Sequence, residues 1–86
     1  MSIAYYNVQK VYFYMINEKI SKKLKLERIK AGLTQEQLAE KSGLSRNSIQ
    51  KIETGKVSPT VETLEKLALA FNMDFQSFID VSKVEI

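Results

Sequence analysis

The chain has no cysteine and no histidine among its 86 residues. Without cysteine there is no disulfide, no iron–sulfur cluster and no thiolate nucleophile. Without histidine, the commonest general base and the commonest transition-metal ligand are both missing. Carboxylates, hydroxyls and lysines are what is left for catalysis, so we expect no enzyme, no cofactor and no bound metal. Long apolar runs are missing as well. The longest, residues 11–16, is six residues, against the roughly 18 or more that a membrane-spanning helix needs. The start shows no basic segment followed by a small-residue cleavage site, so no secretory signal is expected. We therefore expect a cytoplasmic protein without a membrane-embedded part.

A hydrophobic fraction of 44% with 27% charged residues suits a folded chain and not a disordered one. At this length the chain is one small domain, or a domain with a tail, burying about 60–65% of its unfolded surface. The net charge of +3 is unevenly spread. Residues 19–56 hold ten Lys/Arg against four acids, whereas residues 57–86 hold two lysines against five acids. A basic middle followed by an acidic end points to an anionic partner for one part of the molecule.

From Glu18 onward the pattern is helical. Ile20, Leu24 and Arg28 share a stripe, with Leu26, Ile29 and Leu33 alongside. Gly32 stands where a helix ends. Thr34 followed by Gln37 forms a capping box that opens a second helix, whose apolar face is Leu38 and Ala39 and whose stop is Gly43. Ser45 caps a third helix over residues 46–54, with Ile49 and Ile52 facing inward and Gly55 after it. Thr60 caps a fourth, in which Leu64, Leu67, Ala68 and Phe71 recur at helical spacing up to Asn72. Asp74 opens a short fifth over residues 75–79. Five short helices joined by tight loops predict a compact all-α domain over residues 18–80.

Residues 1–17 differ. They carry five of the eight aromatics, and residues 8–16 are rich in β-branched and aromatic side chains, which favours a strand. A helical stripe through Val8, Val11, Tyr12, Met15 and Ile16 can also be drawn. We expect a strand, and with it a dimerisation segment, because so many aromatics near one end suit packing against another subunit. Residues 81–86 alternate apolar and polar positions and read as a second short strand or a tail.

The segment GLTQEQLAEKSGLSRNSIQKIETGK (residues 32–56), with Pro59, Leu64, Leu67, Ala68 and Phe71 beyond it, resembles the lambda-repressor-like (Xre/Cro-type) helix-turn-helix family of transcriptional regulators. The resemblance covers roughly residues 20–80 and implies five helices, the second and third forming the DNA-binding unit. One helix lies in the major groove while the preceding one crosses the phosphate backbone and braces it. Ala39 and Gly43 suit the close approach and tight turn this needs.

By that resemblance Arg46, Asn47, Gln50 and Lys51 are the base-contacting candidates. Arginine suits guanine O6/N7, and asparagine suits adenine N6/N7. Thr34, Gln35, Ser45, Ser48, Thr54 and Lys56 are carried over as phosphate-side candidates, with N-capping as the competing role for the Thr34 and Ser45 hydroxyls. In part of the family the position of Glu53 pairs with a first-helix arginine, here Arg28. Many members also have an apolar residue where this chain has Glu27. The expected partners are double-stranded DNA and a second copy of the chain, binding a palindromic operator as a repressor or autoregulator. The alternative is an antitoxin-type module that grips a toxin-like protein and also binds its own promoter. Glu36 and Glu40, one turn apart, read as a solvated helix face and not as a catalytic pair.

Overall fold

The computed structural model describes residues 3–84, with side chains from Tyr14 to Val84. Within them the chain forms five helices and no strand: α1 (Ile3–Lys30), α2 (Gln35–Ser42), α3 (Arg46–Glu53), α4 (Val61–Ala70) and α5 (Phe75–Ile79). The all-α, five-helix expectation holds, and the four caps read from the sequence are all present. Thr34, Ser45, Thr60 and Asp74 each accept a hydrogen bond from the backbone N–H three residues on. Each satisfies a donor that a helix start leaves without a partner.

Left-handed residues follow the first four helices, Gly32, Gly43, Gly55 and Asn72, and two of them show what the position asks for. Gly43, after α2, takes φ 76° and donates its N–H to the Ala39 carbonyl. Asn72, after α4, takes φ 55°. The loop between α2 and α3 is therefore three residues long, which fixes the angle between the two helices.

The core lies where α3, α4 and α5 meet the inner faces of α1 and α2. Leu24, Leu38, Ile49, Ile52, Leu67 and Phe78 are buried there, with Leu64 and Ala68 beside them. Each fully buried Leu, Ile or Phe contributes on the order of 1.5–3 kcal/mol by leaving water. Phe71 and Phe78 meet with ring centroids 5.7 Å apart, tilted at 41°, which joins α5 to the end of α4.

The structure corrects the sequence reading in three places. Residues 8–16, expected as a strand, lie inside α1, one helix of 28 residues that starts at Ile3 instead of Glu18. The physical reason is that nothing interrupts it. The first glycine is Gly32 and the only proline is Pro59. A helix already nucleated over residues 18–30 propagates at far lower cost than a new element would nucleate. Second, Leu26 and Ile29, grouped with the buried stripe, are 50% and 58% exposed. Leu24 faces the core, and at about 100° per residue Leu26 lies about 200° and Ile29 about 140° round the helix from it. Third, residues 81–84 form a turn, closed by the Val84 N–H donating to the Val81 carbonyl, so of the two readings of this end, strand or tail, the strand is set aside for the described residues. Glu85 and Ile86, and the side chains of Tyr5, Tyr6, Val8, Val11, Tyr12 and Phe13, lie outside the described residues. Among the described residues no helix is long and apolar enough to cross a membrane.

Candidate nucleic-acid interface

The α2–turn–α3 unit is built to hold one helix face outward. Thr34 Oγ1 accepts from the Gln37 N–H at 3.1 Å, and the Thr34 N–H donates to Gln37 Oε1 at 2.8 Å, completing the capping box. Ser45 Oγ accepts from the Ser48 N–H at 3.0 Å and donates to Ser48 Oγ at 2.9 Å. Ile49 and Ile52 anchor α3 in the core. That leaves Arg46, Asn47, Gln50 and Lys51 exposed together on the other side. At positions i, i+1, i+4 and i+5 they fall within an arc of about 140° of the helix. The four predicted base-contacting residues therefore share one face.

A polar network braces the two ends of this unit. Glu53, at the last turn of α3, accepts from Arg28 Nε at 2.6 Å and from a second guanidinium nitrogen at 3.1 Å. The third guanidinium nitrogen donates to the Leu33 carbonyl at 2.8 Å. Gln35 Nε2 adds a further donor to Glu53 at 3.2 Å. The Arg28 and Glu53 side chains are 14% and 4% exposed, so the pair is largely withdrawn from water. Fork-on-carboxylate pairing of this kind fixes direction as well as distance. The end of α1, the start of α2 and the end of α3 thus meet on one carboxylate. Glu27, where relatives carry an apolar residue, leaves this pair intact. It lies 3.9 Å from Lys23 and 3.4 Å from Lys30, on α1's own surface.

The phosphate-side candidates split into two groups. Thr34, Gln35, Ser45 and Ser48 lie at the starts of α2 and α3. There the unpaired N–H groups and the helix dipoles favour an anion. Thr34, Gln35, Glu36, Arg28 and Arg46 line a shallow recess of about 350 Å³ between the two starts. Within it Arg46 Nε is 3.8 Å from Glu36 Oε1, both side chains being mostly exposed. Thr54 and Lys56 lie at the opposite end of α3. Thr54 Oγ1 is occupied with its own helix, within 2.9 Å of the Gln50 carbonyl and 3.2 Å of that of Lys51. The hydroxyls of Thr34 and Ser45 serve as caps, and the amide of Gln35 reaches inward to Glu53.

One positioning residue escaped the sequence reading. Ser21 Oγ is buried and donates to the Ile52 carbonyl at 2.6 Å, while lying 2.9 Å from the Asn17 carbonyl. Ile52 is in the last turn of α3, where carbonyls have no partner within the helix. The available signal was a small hydroxyl residue next to Ile20 and three before Leu24, on the stripe facing the core.

Fold and exposed face together define a small helix-turn-helix module with a basic, amide-bearing second helix. A family model described as helix-turn-helix matches residues 24–78, and the chain belongs to that family, the lambda-repressor-like DNA-binding transcriptional regulators. It is 40% identical over 57 residues to the HTH-type transcriptional regulator PuuR of Escherichia coli, a stretch covering 66% of this chain and 31% of PuuR. A crystal structure of an HTH_3 family transcriptional regulator from Vibrio cholerae superposes with TM-score 0.74 at 32% identity, covering 80% of this chain and 40% of that one. The restriction-modification controller protein C.AhdI of Aeromonas hydrophila superposes with TM-score 0.69 at 31% identity, covering 72% of this chain and 94% of the controller. The chain thus spans less than half the length of PuuR and of the Vibrio protein, and nearly all of the controller fold.

Proposed function

We propose that the chain is a sequence-specific regulator of transcription that binds a palindromic operator as a homodimer, with α3 in the major groove. The observation that carries this reading is the single exposed face of Arg46, Asn47, Gln50 and Lys51. The Arg28–Glu53–Gln35 network holds it at a fixed angle to α2. One module of this size reaches too few base edges for high specificity, and two-fold symmetry doubles them. Likeness to a restriction-modification controller over nearly the controller's whole length supports a small stand-alone regulator; repression or autoregulation is the expected mode and the cytoplasm the expected site of action.

The test is footprinting on DNA upstream of the chain's own reading frame, followed by titration of the protected site against salt. Ten Lys/Arg against four acids over residues 19–56 predict a steep loss of affinity with salt. Six phosphate contacts or more correspond to a fall of about 10³-fold or greater between 50 and 200 mM. Affinity that stays flat across that range removes nucleic acid as the main partner.

A further inference from the structure

On the side of α1 turned away from α3, the last two turns of that helix and the turn after α5 enclose an open groove of about 760 Å³. Its floor is apolar, formed by Leu26, Ile29 and Val84, and the first two are at least half exposed. Its rim is basic. Lys22, Lys23, Lys25 and Lys30 come from α1 and Lys83 from the C-terminal turn. Two acids line it as well, and both are already engaged. Glu27 is paired with Lys23 and Lys30. Asp80 accepts from the Ser82 hydroxyl at 2.7 Å and the Ser82 N–H at 3.0 Å, and these bonds hold its carboxyl below the usual value. Five lysines, two of them the partners of Glu27, against two carboxylates leave the rim a surplus of three positive charges around exposed aliphatic side chains.

We infer that this groove is a docking site for an acidic amphipathic helix of a protein partner, separate from the DNA-reading face. Charge complementarity selects the occupant: glutamates or aspartates meet the lysine rim while leucine-type residues at i, i+3 and i+4 cover Leu26 and Ile29. A nucleic-acid backbone fits worse, because sugar and phosphate leave the aliphatic floor uncovered and the groove is on the opposite side of α1 from α3. From Lys22 to Lys30 the α1 wall is about 12 Å long, two helical turns. The matching partner segment is therefore short, and the contact is weak and exchangeable.

The probe is a synthetic 14-residue helix of Leu, Glu and Ala with leucines at i, i+3, i+4 and i+7. It is fluorescently labelled and titrated with the full chain in the presence and absence of a saturating DNA duplex. We expect a dissociation constant on the order of tens of micromolar, unchanged by DNA, with amide shifts in the protein confined to residues 22–30 and 80–84. Leu26→Ser with Ile29→Ser, and separately Lys25→Glu with Lys30→Glu, should each weaken binding at least about tenfold. All four positions are surface-facing, and the charge-reversal pair keeps the test decisive if the serine pair melts early. The inference is overturned if a scrambled peptide of equal composition binds as well, if DNA displaces the probe, or if the shifts fall on residues 46–51. It is equally overturned if only vesicles containing 30% phosphatidylserine bind through Leu26 and Ile29, which makes the groove a lipid surface.

Discussion

The Arg28–Glu53 pair illustrates how much depends on a single carboxylate. Its Coulombic gain is largely offset by the cost of withdrawing two charges from water, so the pair as a whole adds little net stability. Removing one member is different, because the other is left buried and unpaired. Glu53→Ala is expected to cost about 3 kcal/mol in urea unfolding, whereas Arg28→Met combined with Glu53→Leu should recover most of that loss. The double variant should fold and still bind DNA poorly, since the direction of α3 is no longer set. At the other end of the same helix, Arg46 sits one residue after the Ser45 cap, mostly exposed and held only by a surface ion pair with Glu36. Arg46→Ala should weaken operator binding by about 1–3 kcal/mol and relax sequence choice at one position. An equal loss on operator and random DNA would make it a phosphate clamp instead. The pair was legible in the sequence only through the family resemblance. Gln35 as a third member was not, because a side-chain amide at a helix start is as well suited to a phosphate as to a neighbouring carboxylate. Ser21 was hidden for a similar reason: its partner is a backbone carbonyl 31 residues away, and backbone groups leave no mark on sequence.

Helices α2 to α5 could be read because each is short and bounded by chemistry with one local solution. A hydroxyl or carboxylate side chain starts each one, and a left-handed residue follows α2 and α4. Gly43 shows what such a boundary is worth. A Cβ added there would meet nothing within 4 Å, so Gly43→Ala tests backbone conformation alone. Holding alanine at positive φ should cost about 1 kcal/mol, a drop of about 4–8 °C in melting temperature for a domain this small. Gly43→Asn should cost less, because asparagine tolerates that region. An unchanged melting temperature for the alanine variant would mean that the turn has relaxed to another geometry. The long α1 was misread because strand preference was weighed residue by residue over residues 8–16. What decides the outcome is continuity: no Gly or Pro interrupts the chain before Gly32, and the downstream half is already helical. The same misjudgement put Leu26 and Ile29 inward, since a stripe drawn through every apolar residue of a helix overstates its buried face.

A continuous α1 also changes how two copies would meet. At about 1.5 Å per residue the helix is about 42 Å long, close to the longest dimension of the molecule, 45 Å, so its first half projects past the bundle it belongs to. Tyr14 and Met15, on that half, are 61% and 45% exposed, and pairing of two such helices would bury them. The competing face is the recess of about 470 Å³ between α4 and α5, where Val61 and Leu69 are exposed beside Met73 and Phe75. Both faces are apolar enough to associate, and they demand different dimers. With α1 as the contact, the tie from Ser21 and Arg28 to the end of α3 carries the angle between the two α1 helices directly to the two reading helices. With α4–α5 as the contact, the projecting half of α1 is dispensable for assembly. We expect the first. A chain lacking residues 1–16 should keep its helical circular dichroism and cooperative melt, because Leu24, Arg28 and the rest of the core remain. In light scattering it should run as a monomer where the full chain runs as a dimer. A truncated chain that remains dimeric assigns assembly to α4 and α5 and sinks the α1 contact. In either dimer the two α3 helices must lie about 34 Å apart to enter successive major grooves on one side of the duplex. Inserting five base pairs between operator half-sites should therefore abolish binding by the full chain, and inserting five into a site used by the monomeric truncation should change nothing.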